Sequence, residues 1–109
     1  MTRINSRAKG ARGERAWRDA LRAAGYDARR GQQFAGGTDS PDVICEELHK
    51  FHFEVKCVEA LNLENAMNQA RRDAGDQKRP IVAHKKNGKG WLVSMPAEVF
   101  FQLLRGDHL

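Results

Sequence analysis

Residues Ser40 to Lys56, Ser-Pro-Asp-Val-Ile-Cys-Glu-Glu-Leu-His-Lys-Phe-His-Phe-Glu-Val-Lys, constrain the fold of this chain more than any other stretch. They read as two short strands joined by a polar turn, and strand side chains alternate between two faces. On the second strand, Phe51 to Val58, the residues Phe51, Phe53, Val55 and Cys57 share one face, expected to be the buried one. Glu54 and Lys56 share the other, about 7 Å apart. Pro41 can open a strand but cannot sit inside a central one, so Asp42 is expected at the first residues of the neighbouring strand. Two carboxylates and an ammonium are thereby set side by side on rigid elements, an arrangement suited to a divalent metal and a phosphate.

The rest of the chain supplies the surroundings. A first helix is expected from Asn5 or Ser6, either of which can cap it, to Gly25. Ala11, Trp17, Leu21 and Ala24 set its apolar face, and at 100° per residue Glu14 falls in the middle of that face. A carboxylate there is costly unless it is paired or bound to a cation. One reading is a salt bridge to a core-edge arginine; the other is that Glu14 reaches the metal cluster. Gly10 and Gly13 flank it and would let another backbone approach, the phosphodiester of DNA being one possibility.

A strand over 26–34 and a Gly-rich loop over 35–40 lead into Pro41-Asp42. After the hairpin, Leu61 to Ala74 reads as an amphipathic helix with Leu63, Ala66, Met67 and Ala70 on one side. Asn65, Gln69, Arg72 and Asp73 fall on its other faces, and Gly75 ends it. Pro80 to Lys85 and Gly90 to Met95 read as strands around Asn87-Gly88, the strongest local hairpin signal in the chain. Pro96 and Glu98 open a final helix to about Arg105, apolar around most of its circumference. The order α-β-β-β-α-β-β-α predicts a mixed α/β fold.

At 109 residues, 40% of them hydrophobic and 30% charged, the chain is expected to form a single domain, 1–109. No apolar run approaches the roughly 20 residues of a membrane span, and the N-terminus lacks a signal-peptide segment, so a cytoplasmic protein is expected. The net charge of +5 favours a polyanionic partner. Arg7, Lys9, Arg12 and Arg15 of the first helix, with Arg29, Arg30, Lys85 and Lys86, are candidate phosphate contacts, which give affinity rather than base specificity.

Two cysteines make no disulfide framework. Cys45, His49, His52 and Cys57 have a spacing that resembles a zinc set, but strand alternation puts His52 with Glu54 and Cys57 on the opposite face. The cysteines are therefore read as core residues, and His52 is set aside as a ligand. Carboxylate, carbonyl and water ligands suit Mg²⁺, with Mn²⁺ able to substitute, and need no organic cofactor. Such an ion can polarise a scissile phosphate, and a neighbouring lysine can orient the attacking water. The plain alternative is an ordinary Glu–Lys pair on a solvated strand face.

Asp42 after a proline, then eleven residues, then Glu54-Val55-Lys56 inside an apolar strand, resembles the signature of the PD-(D/E)XK nucleases. The Gly-x-x-Gly-Glu-Arg run on a basic helix and the Gly-rich loop before Pro-Asp look most like archaeal- and phage-type Holliday junction resolvases. The resemblance implies a restriction-endonuclease-like mixed sheet flanked by helices. It implies a Mg²⁺-dependent, structure-selective endonuclease that hydrolyses phosphodiesters in branched DNA, leaving a 3′ hydroxyl and a 5′ phosphate. By the same resemblance Asp42 and Glu54 ligate the metal and the Val55 carbonyl adds a ligand. Lys56 acts on the attacking water, Glu14 assists at the metal, and Thr38 or Ser40 touches the phosphate backbone. Gln69 corresponds to a helix position that is polar in some relatives.

Two symmetric cuts in a junction imply a C2 homodimer, with the last helix and Trp91 as its expected interface. A phage-encoded resolvase would work in the host cytoplasm. The competing readings are an enzyme that nicks or restricts ordinary duplex, and a basic nucleic-acid-binding module without chemistry.

Overall fold

A computed structural model describes residues 6–30 and 43–106, with side chains over 10–29 and 43–106. The elements are α1 (Ser6–Ala23), β1 (Ala28–Arg30), β2 (Val43–Cys45), β3 (Phe51–Cys57), α2 (Leu63–Ala74), β4 (Arg79–Lys85), β5 (Leu92–Ser94) and α3 (Ala97–Leu104). A single 3₁₀ turn, Glu46–Leu48, links β2 to β3. The order of helices and strands is the expected one, and the protein is a mixed α/β fold.

Local chemistry accounts for the element ends. α1 closes with Gly25 at φ 99°, where Tyr26 N–H donates to the Leu21 carbonyl and Gly25 N–H to that of Arg22. That pair of bonds is a Schellman motif, which satisfies carbonyls the helix itself leaves open. The Asn62 side chain caps α2 by accepting from Asn65 N–H at 3.0 Å. Gly75, at φ 61°, follows its last turn.

Among the described residues the strands form two sheets rather than one. β1 pairs antiparallel with β2, and β3, β4 and β5 form a separate mixed sheet in that order. β3 and β4 run parallel, with Phe51 opposite Arg79 and Cys57 opposite Lys85. α2 is therefore the crossover that a parallel pair requires. β4 and β5 are antiparallel over Val82–Ser94 to His84–Leu92. Between them Lys89 N–H donates to the Lys86 carbonyl, and only Gly88 has positive φ, so Asn87-Gly88 forms a turn within a wider hairpin.

The expected β2–β3 hairpin is thus replaced, among the described residues, by a 3₁₀ turn that carries the chain from one sheet to the other. Pro80 is accommodated in the central strand because Arg79 N–H points to the Lys50 carbonyl beside β3. The proline nitrogen then faces the other side, where β5 reaches no further than Val82.

Both faces of the larger sheet are covered, not one as alternation alone suggested. Trp17 and Leu21 of α1, Phe53 of β3, Ile81 and Ala83 of β4 and Val99 of α3 share one buried cluster, which also takes in Ala28, Val43 and Cys45 of the small sheet. Trp17 meets Phe53 and Trp91 with ring centroids 5.6 and 5.0 Å apart. On the other face Ala66 and Ala70 of α2 close over Val82. Parallel strands buried on both faces are the usual arrangement where helices make the crossovers. No helix among the described residues is long and apolar enough to cross a membrane.

A candidate metal and phosphate site

The α2-facing side of β3 carries His52, Glu54 and Lys56, and α2 lies directly above them. Glu54 is only 4% exposed, and its two carboxylate oxygens are divided between two cations or potential cations. Lys56 Nζ lies 3.5 Å from Oε1 and His52 Nε2 3.6 Å from Oε2. The same His52 nitrogen lies 3.9 Å from Asp73 Oδ2 of α2. One ligand atom each from His52, Glu54 and Asp73 lies within 4.8 Å of the others, so the three could hold a metal ion.

Glu54 and Lys56 are therefore brought together as their spacing suggested, with the carboxylate buried and the ammonium partly exposed. His52, set aside as a ligand, lies beside Glu54. Asp73 was assigned to the outer side of α2. That assignment took Leu63, Ala66, Met67 and Ala70 as the apolar side, whereas the fully buried stripe is Ala66, Ala70 and Ala74, and Leu63 is exposed. Asp73 is seven residues from Ala66, within about 20° of it around the axis, and so borders the sheet. The alanine repeat is the signal that finds it: small side chains let a helix lie close enough to deliver an aspartate to the strand beneath.

The other expected site residues are dispersed or fall outside the description. Asp42, Thr38 and Ser40 lie outside the described residues, as do the side chains of Arg7, Lys9 and Arg30. Glu14 is 8% exposed, as its position on the apolar face required, but it is not one of the three residues grouped around His52. Val55 points the opposite way from Glu54, toward α1. A Cβ placed on Gly13 would sit 3.2 Å from Cys57 Sγ and 3.7 Å from Val55 Cγ1. The close approach at Gly13 is thus made by strand β3 and not left for a phosphodiester, while around Gly10 there is open space. Gln69 is half-buried on α2.

Three of the basic candidates do converge. Arg12, Lys85 and Lys86 line a concavity of about 400 Å³ together with Gly13, Cys57 and Glu59. Glu59 accepts from Asn87 N–H at 2.6 Å and so pins the β4–β5 turn beside it. Lys85 Nζ lies 5.5 Å above the Trp91 ring. The concavity opens at the carboxyl ends of β3 and β4, one residue beyond Lys56, the edge at which open α/β sheets commonly take ligands. Arg15 is exposed, and Arg29 forms an exposed ion pair with Glu46 at 3.6 Å.

His84 lies beside Lys56 in the parallel register. Its Nε2 is 2.8 Å from Ser94 Oγ, and burial lowers its pKa from the ordinary value of 6.5. Compared with family models, with curated proteins and with solved structures, the chain gives no match.

Proposed function

We propose that this protein is a metal-dependent endodeoxyribonuclease of the PD-(D/E)XK type, built on a restriction-endonuclease-like topology and selective for branched DNA in the manner of Holliday junction resolvases. The observation that carries the reading is the Glu54–Lys56 pair: a carboxylate 4% exposed with an ammonium 3.5 Å away. Keeping a carboxylate this deeply buried is costly unless it is paired or bound to a cation. The order of elements and the Arg12, Lys85 and Lys86 concavity also support it, since a nuclease of this kind needs phosphate contacts beside the strand that bears its acid and lysine.

In this reading Asp42 and Glu54 hold Mg²⁺ or Mn²⁺, the Val55 carbonyl completes the protein's share of the ligands, and Glu14 assists. When bound, such an ion polarises the scissile phosphate and acidifies water. Lys56 orients the attacking water and offsets charge building on the phosphoryl oxygens. The basic concavity holds the backbone of the strand being cut, and a C2 homodimer presents two such sites to a four-way junction.

Incubating the purified protein with labelled junction, fork and linear duplex in Mg²⁺, Mn²⁺ or EDTA tests the proposal. Paired, metal-dependent cuts in the junction are expected. Asp42→Asn and Lys56→Ala should each lose about a hundredfold or more in cleavage while still binding the junction. Wild-type cutting by either variant would sink the assignment. Salt-sensitive binding without nicking at any metal concentration would leave a non-catalytic DNA-binding module, and equal cutting of linear duplex would leave a restriction-like enzyme.

A further inference from the structure

We infer that His52, Glu54 and Asp73 form a three-ligand site for a divalent transition ion of the Zn²⁺ or Mn²⁺ class, distinct in its donors from the all-oxygen set expected around Asp42. His52 is 8% exposed, and its Nε2 is buried without a hydrogen-bond partner among the described residues. Orphaned buried nitrogens are rare and call for an explanation. The distances supply one. At 3.6 Å from Glu54 Oε2 and 3.9 Å from Asp73 Oδ2, the nitrogen is too far from either for a good hydrogen bond. Donors about 2.1 Å from a tetrahedral ion lie about 3.4 Å from one another, close to the two distances from His52, and all three donors lie within 4.8 Å.

The donor set sets the preference. One imidazole nitrogen and two carboxylates suit a first-row transition ion, whereas Mg²⁺ favours oxygen and keeps its waters. Three protein ligands leave a fourth position, and the Asp73 side chain, 49% exposed, lies on the solvent side of the group. The ion would also tie α2 to β3. The inference shares Glu54 with the nuclease reading and rests on it in nothing else: Oε2 faces this group while Oε1 faces Lys56.

Titrating the metal-free full chain with Mn²⁺, in the absence of DNA, tests it by electron paramagnetic resonance and spin-echo modulation. Bound Mn²⁺ should show modulation from an imidazole nitrogen. Zn²⁺ should displace it readily, and Mg²⁺ should displace it only in large excess. His52→Gln should abolish the nitrogen modulation. Asp73→Asn, at a half-exposed position, should weaken binding by more than about tenfold, since even outer-sphere partners are worth that much. Asp42→Asn should leave the modulation intact.

No Mn²⁺ binding, bound Mn²⁺ without nitrogen modulation, modulation that survives in His52→Gln, or wild-type affinity in Asp73→Asn would each overturn the site. The two proposals fail separately. Nitrogen-coupled Mn²⁺ in a protein that cuts no DNA removes the nuclease alone, and Mg²⁺-dependent cutting without nitrogen coupling removes this site alone.

Discussion

At the scale of single residues, charge density on the α2-facing side of β3 and β4 is what sets this protein apart from an ordinary α/β domain. His52, Glu54, Lys56 and His84 all occupy one face of two adjacent strands. His84 gives that face a measurable signature. Burial lowers its pKa below 6.5, so the folded protein resists a proton that the unfolded chain accepts. The stability due to neutral His84 is therefore fully present above 6.5 and is lost as pH falls through the lowered folded value. Circular dichroism melts between about pH 5 and 8 should show a melting temperature that declines on the acid side. His84→Gln should make that decline shallower.

Which residues meet was only partly legible in the sequence. The Glu54–Lys56 neighbourhood follows from strand alternation, and Glu14 falls on a buried face as its phase required. The meeting of His52 with Asp73 joins a strand to a crossover helix across twenty residues of chain. Helical phase finds it once the stripe is centred on Ala66, Ala70 and Ala74 rather than spread over Leu63, Ala66, Met67 and Ala70. Leu63 is in fact exposed.

At the scale of elements, α1 is fitted to the sheet by absence of a side chain at one position and not at another. Gly13 lies against Cys57 and Val55, whereas nothing lies within 4 Å of a Cβ at Gly10. Gly13→Leu should push α1 off β3 and cost about 1–3 kcal/mol. Gly10→Ala should stabilise by up to about 1 kcal/mol through helix propensity alone. Urea denaturation of the two variants checks both signs.

The sequence reading treated these glycines as equivalent because composition carries no record of what faces a helix. It misread the link between β2 and β3 for a related reason. Two apolar runs with a polar connection look the same whether they pair with each other or enter different sheets, and the pairing is decided by partners far away in the chain.

At the scale of the whole molecule, the apolar surplus of α3 is real but divided. Val99 is buried in the main cluster, while Phe100, Phe101 and Leu104 are exposed, as are Leu92 and Val93 on the edge strand β5. Trp91, expected at an interface, packs on Trp17 and beneath Lys85 at the margin of the core. If the proposed dimer uses α3, Phe101→Glu should convert it to monomer in sedimentation experiments without lowering the melting temperature. Paired junction cutting should be lost with it. On the DNA side, replacing Arg12, Lys85 and Lys86 by alanine should flatten the dependence of log affinity on log salt by about 0.9 for each phosphate contact removed.

The division into two sheets has a consequence for how the molecule breathes. Ile81, Val82 and Ala83 are buried in a strand with neighbours on both sides, so their amides should exchange with deuterium only on global unfolding. Among the described residues the short strands β1 and β2 pair only with each other, and their amides should exchange by a smaller, local opening. Val43, the neighbour of Asp42 in sequence, belongs to the small sheet, and Glu54 and Lys56 belong to the large one. The proposed cleavage centre would then be a junction between a rigid half and a labile half. DNA that spans both should slow exchange at Val43 to Cys45 while leaving Ile81 to Ala83 unchanged.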